Sequence, residues 1–303
     1  MQKDLLKLLD YSREEIEEIL NIADQLKYEQ KNGIPHSFPQ GKTLAMIFEK
    51  SSTRTRVSFE VGMFQLGGHA LFLSSSASQM GRGEPIADTA RTLARYCDGI
   101  MIRTYAHETV EELAHWSDIP VINGLTDRYH PCQVLADLMT IREYKTHLAG
   151  LKLCYIGDGN NMANSLIVGG LKCGLDVSIA CPDGYGPHEE ALAFAATVTD
   201  AKFTLTTDPK IAAAGADVII TDVWASMGHE EEVEKRKIAF SGYQINDELM
   251  ALTAPGCMVQ HCLPAKKGQE ITESVFEAHA QEIFDEAENR LHAQKAVMYL
   301  LMG

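Results

Sequence analysis

The densest group of reactive side chains in the sequence is Lys50-Ser51-Ser52-Thr53-Arg54-Thr55-Arg56, three cations and four hydroxyls within seven residues. An apolar run, Thr43 to Phe48, precedes it, and helical periodicity from Arg54 to Leu66 follows. A strand-to-helix junction offers unpaired backbone N–H groups and the positive end of the helix dipole, so hydroxyls and guanidiniums there suit a phosphate group. A solvated Ser/Thr cap flanked by surface arginines is the plain alternative. Charge distribution favours the phosphate: from Lys50 to Arg103 seven basic residues outnumber four acidic ones, in a chain with a net charge of −15. The Gly-x-x-x-x-Gly-Lys-Ser/Thr arrangement of a P-loop is missing, so a nucleoside triphosphate is not implied.

A second candidate, Gly157-Asp158-Gly159-Asn160-Asn161, follows the apolar run Leu151 to Ile156 and opens a helix as a dinucleotide turn would. The third glycine of that fingerprint is replaced by Met162, which argues against a nicotinamide dinucleotide. The two asparagines either present amides to a small zwitterion or form a simple Asx turn. His130-Pro131-Cys132-Gln133, Asp222 to Gly228 and His261-Cys262-Leu263-Pro264 also fall at the ends of expected strands or in loops. Each, taken alone, reads equally as a packed turn. Cys257, His261 and Cys262 are the only grouping with metal-ligand character, and they lack the partner pair of a zinc site.

The elements that must position these residues alternate. Ser12 and Glu15 have capping-box spacing ahead of Ile16, Ile19, Leu20, Ala23 and Leu26, predicting a helix over residues 12–30. Strands are expected at Thr43–Phe48, Ile100–Arg103, Val121–Ile122, Leu151–Ile156, Val177–Ala180, Phe203–Leu205, Val218–Thr221 and Met258–Cys262, with helices between them and a last helix from Asp285 to Leu301. This is an α/β pattern: two domains, each a mainly parallel sheet flanked by helices, with sites at the carboxyl ends of strands. The 303 residues suit two cores. An excess of 42 acidic over 27 basic side chains argues against a nucleic-acid or membrane-surface partner. No apolar stretch approaches about 18 residues, so neither a leader nor a membrane span is expected. Seven cysteines without a C-x-x-C pair fit a reduced, cytoplasmic compartment.

Taken together, the motifs resemble the transcarbamoylase family, in its ornithine-using branch. Ser52 to Arg56, Ser78-Gln79-Met80-Gly81, His130-Pro131-x-Gln133, Asp222-x-x-x-Ser226-Met227-Gly228, His261 to Pro264 and Phe284-Asp285-Glu286-Ala287-Glu288-Asn289-Arg290 occur in the family's order, across nearly the whole chain. The resemblance implies a carbamoyl-phosphate-binding domain at 1–136, an ornithine-binding domain at 137–284 and a terminal helix, 285–303, returning to the first domain. It also implies transfer of the carbamoyl group of carbamoyl phosphate to the δ-amine of L-ornithine, giving L-citrulline and phosphate in arginine metabolism, with no cofactor and no metal.

The resemblance assigns the phosphate to Ser52, Thr53, Arg54 and Thr55, and gives Arg103 a bridge between phosphate and carbonyl oxygen. His130 and Thr55 would polarise that carbonyl, while Gln133, Arg290 and the backbone carbonyls near Cys262 and Leu263 would hold the carbamoyl end. Asn161, Asp222, Ser226 and Met227 would surround the α-amino and carboxylate groups of ornithine, with Cys262 beside the reacting nitrogen. Gln79 matches a position that reaches a neighbouring subunit's site, implying a homotrimer with shared sites. Departures are small: Cys132 is the third residue of its motif, Arg82-Gly83-Glu84 follows Gln79, and the chain is compact. Putrescine, N-acetylornithine or aspartate as acceptor, and a non-catalytic binding protein, are the competing readings. The intact Asp222 to Gly228 motif and the full reacting set, Arg54, Arg103, His130, Gln133, Cys262 and Arg290, speak against them.

Overall fold

The computed structural model describes residues 2–74, 83–225 and 232–303. The chain divides into two compact units, Met1–Met139 with Asn289–Gly303, and Thr140–Glu288.

In the first unit Ser12 caps α1 (Arg13–Lys31) through a reciprocal capping box: Glu15 N–H donates to Ser12 Oγ at 3.2 Å, and Ser12 N–H to the Glu15 carboxylate at 2.9 Å. The five predicted apolar positions of α1 are all buried. There follow β1 (Thr43–Phe48), α2 (Thr53–Gln65), β2 (His69–Ser74), α3 (Ile86–Leu93), β3 (Gly99–Arg103), α4 (His107–Trp116), β4 (Val121–Leu125) and α5 (Pro131–Lys145). The strands pair in the order β2-β1-β3-β4, all parallel. β1 and β3 are central, and their apolar runs bury Ala45, Ile47, Ile100 and Ile102 against Val110 and Leu113 of α4. A parallel sheet gathers its carboxyl ends on one edge, so the loops after β1, β3 and β4 leave side by side. β2 has no counterpart among the expected strands. It is an edge strand whose Leu71 and Phe72 are exposed, so burial leaves no clean apolar run to read.

In the second unit β5 (Lys152–Ile156), α6 (Asn161–Lys172), β6 (Asp176–Ala180), α7 (Glu189–Ala195), β7 (Phe203–Thr206), α8 (Pro209–Ala213), β8 (Val218–Thr221), α9 (Val233–Ala239), α10 (Asp247–Met250), β9 (Met258–His261) and α11 (Glu273–Ala278) succeed one another. α12 (Ala280–Met302) closes the chain. The order is β7-β6-β5-β8-β9, again all parallel. The chain winds outward from β5 in one direction and then from β8 in the other, so the switch point lies at the carboxyl ends of β5 and β8, where open α/β sheets bind ligands. The β5–α6 turn needs Gly159: a Cβ there would lie 2.2 Å from the Gly186 backbone. α12 starts earlier than the expected Asp285, because Glu282 already accepts the Val259 N–H at 2.7 Å. The boundary read at 136 falls inside α5 and that at 285 inside α12.

Candidate active site

In the first unit the β1-to-α2 junction is built as a helix cap. Ser52 is the N-cap of α2, its Oγ accepting the Thr55 N–H at 3.2 Å, and the first turn holds no acidic residue to oppose an anion at the dipole's positive end. Thr53 is exposed, Arg54 half-buried and Thr55 buried. Lys50, the first cation of the cluster, is committed elsewhere: it is buried, paired with Asp127 and seated 4.1 Å from the Tyr105 ring centre. That pair ties the loop after β1 to the loop after β4. Glu49 N–H on the Arg103 carbonyl, 2.9 Å, ties the first of these loops to the end of β3.

Arg103 ends β3 and is buried, and His130 immediately precedes α5. Arg290, far away in sequence, completes the group. Its Nη2 donates to Thr55 Oγ1 at 3.2 Å and its Nη1 to Gln133 Oε1 at 2.6 Å. With the Gln294 amide turned so that its nitrogen faces Ser58, its oxygen accepts from Arg290 Nε at 3.0 Å and Nη2 at 2.9 Å. A buried guanidinium is thus held by three side chains, which is what a buried cation requires.

Burial, and then the guanidiniums of Arg290, Arg103 and Arg54, push the His130 imidazole well below its ordinary 6.5. A neutral ring can donate one hydrogen bond to a carbonyl oxygen without adding a fourth charge to this cluster. The shift has a consequence for stability. Below pH 6.5 the unfolded chain takes up a proton at residue 130 that the folded chain does not. Stability should therefore fall by up to about 1.4 kcal/mol per pH unit as pH drops from there towards the folded value. Urea unfolding between pH 7 and pH 5 should show a shallower decline for His130→Gln than for the wild type. Parallel declines would mean that the imidazole is not held neutral.

In the second unit the residues after β5, β8 and β9 meet. Asp222, directly after β8, accepts from Cys262 Sγ at 3.2 Å, from Val223 N–H at 2.7 Å and from Asn160 Nδ2 at 3.3 Å. Asn160 caps α6, its Oδ1 taking the Met162 and Ala163 N–H groups, so the Asx reading holds for it, and Asn161 is the first helical residue. Arg236 binds Asp158 at 2.6 Å and the Trp224 carbonyl at 2.9 Å. Leu263 has a left-handed φ of +58°, and its N–H donates to His261 Nδ1 at 2.9 Å. Gln79, Ser226 and Met227 lie outside the described residues.

The metal-type grouping needs correction. Among the described residues, Asp222, His261 and Cys262 come within 4.8 Å of one another, and Cys257 is not with them. Strand β9 separates Cys257 from Cys262, so neighbours in sequence stand at opposite ends of a strand. Both ring nitrogens of His261 are hydrogen-bonded, Nδ1 to Leu263 N–H and Nε2 to Glu270 at 3.1 Å.

Sequence reasoning missed the groups behind the front row. Gln133 Nε2 donates to Asp137 at 2.8 Å, a pair that the i, i+4 spacing on a helix could have disclosed. Gln294 and the Lys50–Asp127 pair carry no comparable signal.

Two family models match the chain: the carbamoyl-P binding domain of aspartate/ornithine carbamoyltransferase over residues 3–143, and the Asp/Orn binding domain over residues 149–301. The ornithine carbamoyltransferase of Syntrophotalea carbinolica is 58% identical over 303 residues, covering 100% of both chains. That of Pelobacter propionicus is 56% identical, covering 100% of this chain and 99% of the other. The solved ornithine carbamoyltransferase of Pyrococcus furiosus superposes with a TM-score of 0.94 at 53% identity, covering 99% of this chain and 97% of that one. With matched domains over nearly all its length, the chain belongs to the aspartate/ornithine carbamoyltransferase family.

Proposed function

We propose that the chain transfers the carbamoyl group of carbamoyl phosphate to the δ-amine of L-ornithine, releasing L-citrulline and phosphate. The observation that carries this reading is the neutral His130 lodged among three guanidiniums near the N-terminus of α2. Such a set binds a phosphate dianion and still offers an uncharged donor to a carbonyl oxygen.

In the first unit Ser52, Thr53, Arg54 and Thr55 hold the phosphate, and Arg103 and His130 polarise the carbonyl. Gln133 and Arg290 hold the carbamoyl end. In the second unit Asn161, Asp222, Ser226 and Met227 receive the α-amino acid head group, and Cys262 stands by the reacting nitrogen. The neutral amine attacks the carbonyl carbon and a new C–N bond forms. The bond to the phosphate oxygen then breaks, its electron pair leaves with the phosphate, and the amine nitrogen gives up a proton. Donors already aimed at the developing oxyanion lower the barrier without reorganising, and holding the reactants together removes much of the entropic cost. An amine of pKa about 10.4 is neutral in only about four molecules in ten thousand at pH 7, so deprotonation is a large part of the barrier.

An assembly of several copies, with Gln79 contributed across subunits in a trimer, is part of the same reading. Val57, Val61 and Phe64 line one face of α2 at helical spacing, Leu71 and Phe72 lie on β2, and Phe64 is 79% exposed. A contiguous apolar surface of this kind is usually covered by a partner. The cytoplasm is the proposed compartment, in keeping with seven cysteines present as thiols. No helix among the described residues is long and apolar enough to cross a membrane.

The test is a panel of acceptors, each supplied with carbamoyl phosphate and the product identified directly. Ornithine should give citrulline with a kcat/KM at least about a hundredfold above putrescine, N-acetylornithine or aspartate, the scale on which buried polar groups reject a ligand that leaves them unpaired. A higher kcat/KM with putrescine would overturn the acceptor assignment, and phosphate release with no acceptor at all would return the chain to a binding role.

A further inference from the structure

Gln133 and Asp137 stand one turn apart on α5 and share a face. Gln133 Nε2 donates to Asp137 Oδ1 at 2.8 Å, while Gln133 Oε1 accepts from Arg290 Nη1 at 2.6 Å. All three side chains are buried, Asp137 completely. The neighbours on either side of the amide are chemically one-sided, because a carboxylate only accepts and a guanidinium only donates. A glutamine amide has nearly the same shape either way round, so its orientation is decided by what surrounds it. Here the acceptor claims the nitrogen and the donor claims the oxygen.

We propose that Asp137 is a positioning residue which holds the Gln133 amide with its oxygen towards Arg290 and a bound carbamoyl group, so that the donor site selects an acyl phosphate carrying NH2 over one carrying CH3. The inference rests on the carbamoyl-phosphate reading above. A carbonyl oxygen has two lone pairs, so a bond from Arg290 does not exhaust it, and the carbamoyl NH2 is a donor that an acetyl methyl is not. Without Asp137 the Gln133 nitrogen would be buried against nothing that accepts from it, and the side chain would rotate to satisfy it. The amide would then present a donor to a donor. The contact with phosphate does not pass through Gln133, and phosphate affinity should be indifferent to the change.

The experiment measures dissociation constants of the full chain for inorganic phosphate, acetyl phosphate and carbamoyl phosphate by calorimetry. The wild type should bind carbamoyl phosphate about tenfold more tightly than acetyl phosphate, the scale of one or two neutral hydrogen bonds. Asp137→Leu should bring the two within about twofold of each other and leave inorganic phosphate within about twofold of wild type. Asp137→Asn, whose amide oxygen can still accept from Gln133, should retain most of the preference. An Asp137→Leu variant that keeps the full preference overturns the proposal. So does an equal weakening of all three ligands that asparagine does not relieve. Wild type that binds carbamoyl phosphate no better than inorganic phosphate would instead sink the donor reading itself.

Discussion

Arg54→Ala lowers kcat/KM for carbamoyl phosphate by about 10²–10³-fold, the usual loss on removing one preorganised charge-stabilising donor. Its thermal midpoint stays within about 4 °C of wild type, because the side chain is half-exposed and its loss is worth about 1 kcal/mol at most. The reasoning is electrostatic. Negative charge grows on the departing phosphate, and Arg54 sits in the first turn of α2 where the dipole already favours an anion. Arg54 is also one of the three guanidiniums that hold the His130 imidazole down, so the variant should let that ring titrate at higher pH than in the wild type. Arg54→Lys keeps the charge and loses the planar fork, and should recover only part of the activity. Near-normal turnover by Arg54→Ala would show that the phosphate lies elsewhere.

Arg290→Met behaves differently, although the charge removed is the same. Arg290 is 3% exposed and donates to Thr55, Gln133 and, with its amide turned, Gln294. Deleting one partner of such a buried network costs about 3–5 kcal/mol, because the acceptors left behind are out of reach of water. In a unit of this size that corresponds to a fall of about 10 °C in the midpoint. Activity should fall at least as far as for Arg54→Ala, since Thr55 and Gln133 lose the group that aligns them. Scanning calorimetry and steady-state kinetics at matched protein concentration separate the two arginines. An Arg290→Met protein as stable as wild type would mean that the three contacts are incidental.

Much of this was legible in the sequence where local rules act alone. The Ser12–Glu15 box, the buried run of β1 and the Ser52 cap are set by neighbours within four residues, and each is found where the pattern placed it. β2 was not legible, because an edge strand with exposed Leu71 and Phe72 lacks the burial that writes a pattern. Lys50 reads as one more phosphate cation until the fold brings Asp127 to it from 77 positions away. Arg290 reaches Gln133 across 157 positions, and the sequence carries its importance only as part of a recognised motif. Cys257 misled for the opposite reason: proximity in sequence spans a strand and becomes distance in space. Asp137 was visible as a spacing, but its meaning needed the other side of the Gln133 amide, where Arg290 settles which atom points where.

The claim beneath all of these predictions is that the junction of β1 and α2 grips an acyl phosphate. Crystals equilibrated with carbamoyl phosphate should show its phosphate oxygens against the first turn of α2 and the Arg54 guanidinium, with the carbonyl oxygen within hydrogen-bonding reach of His130. Density for the compound at another place, with that junction empty, would contradict the account.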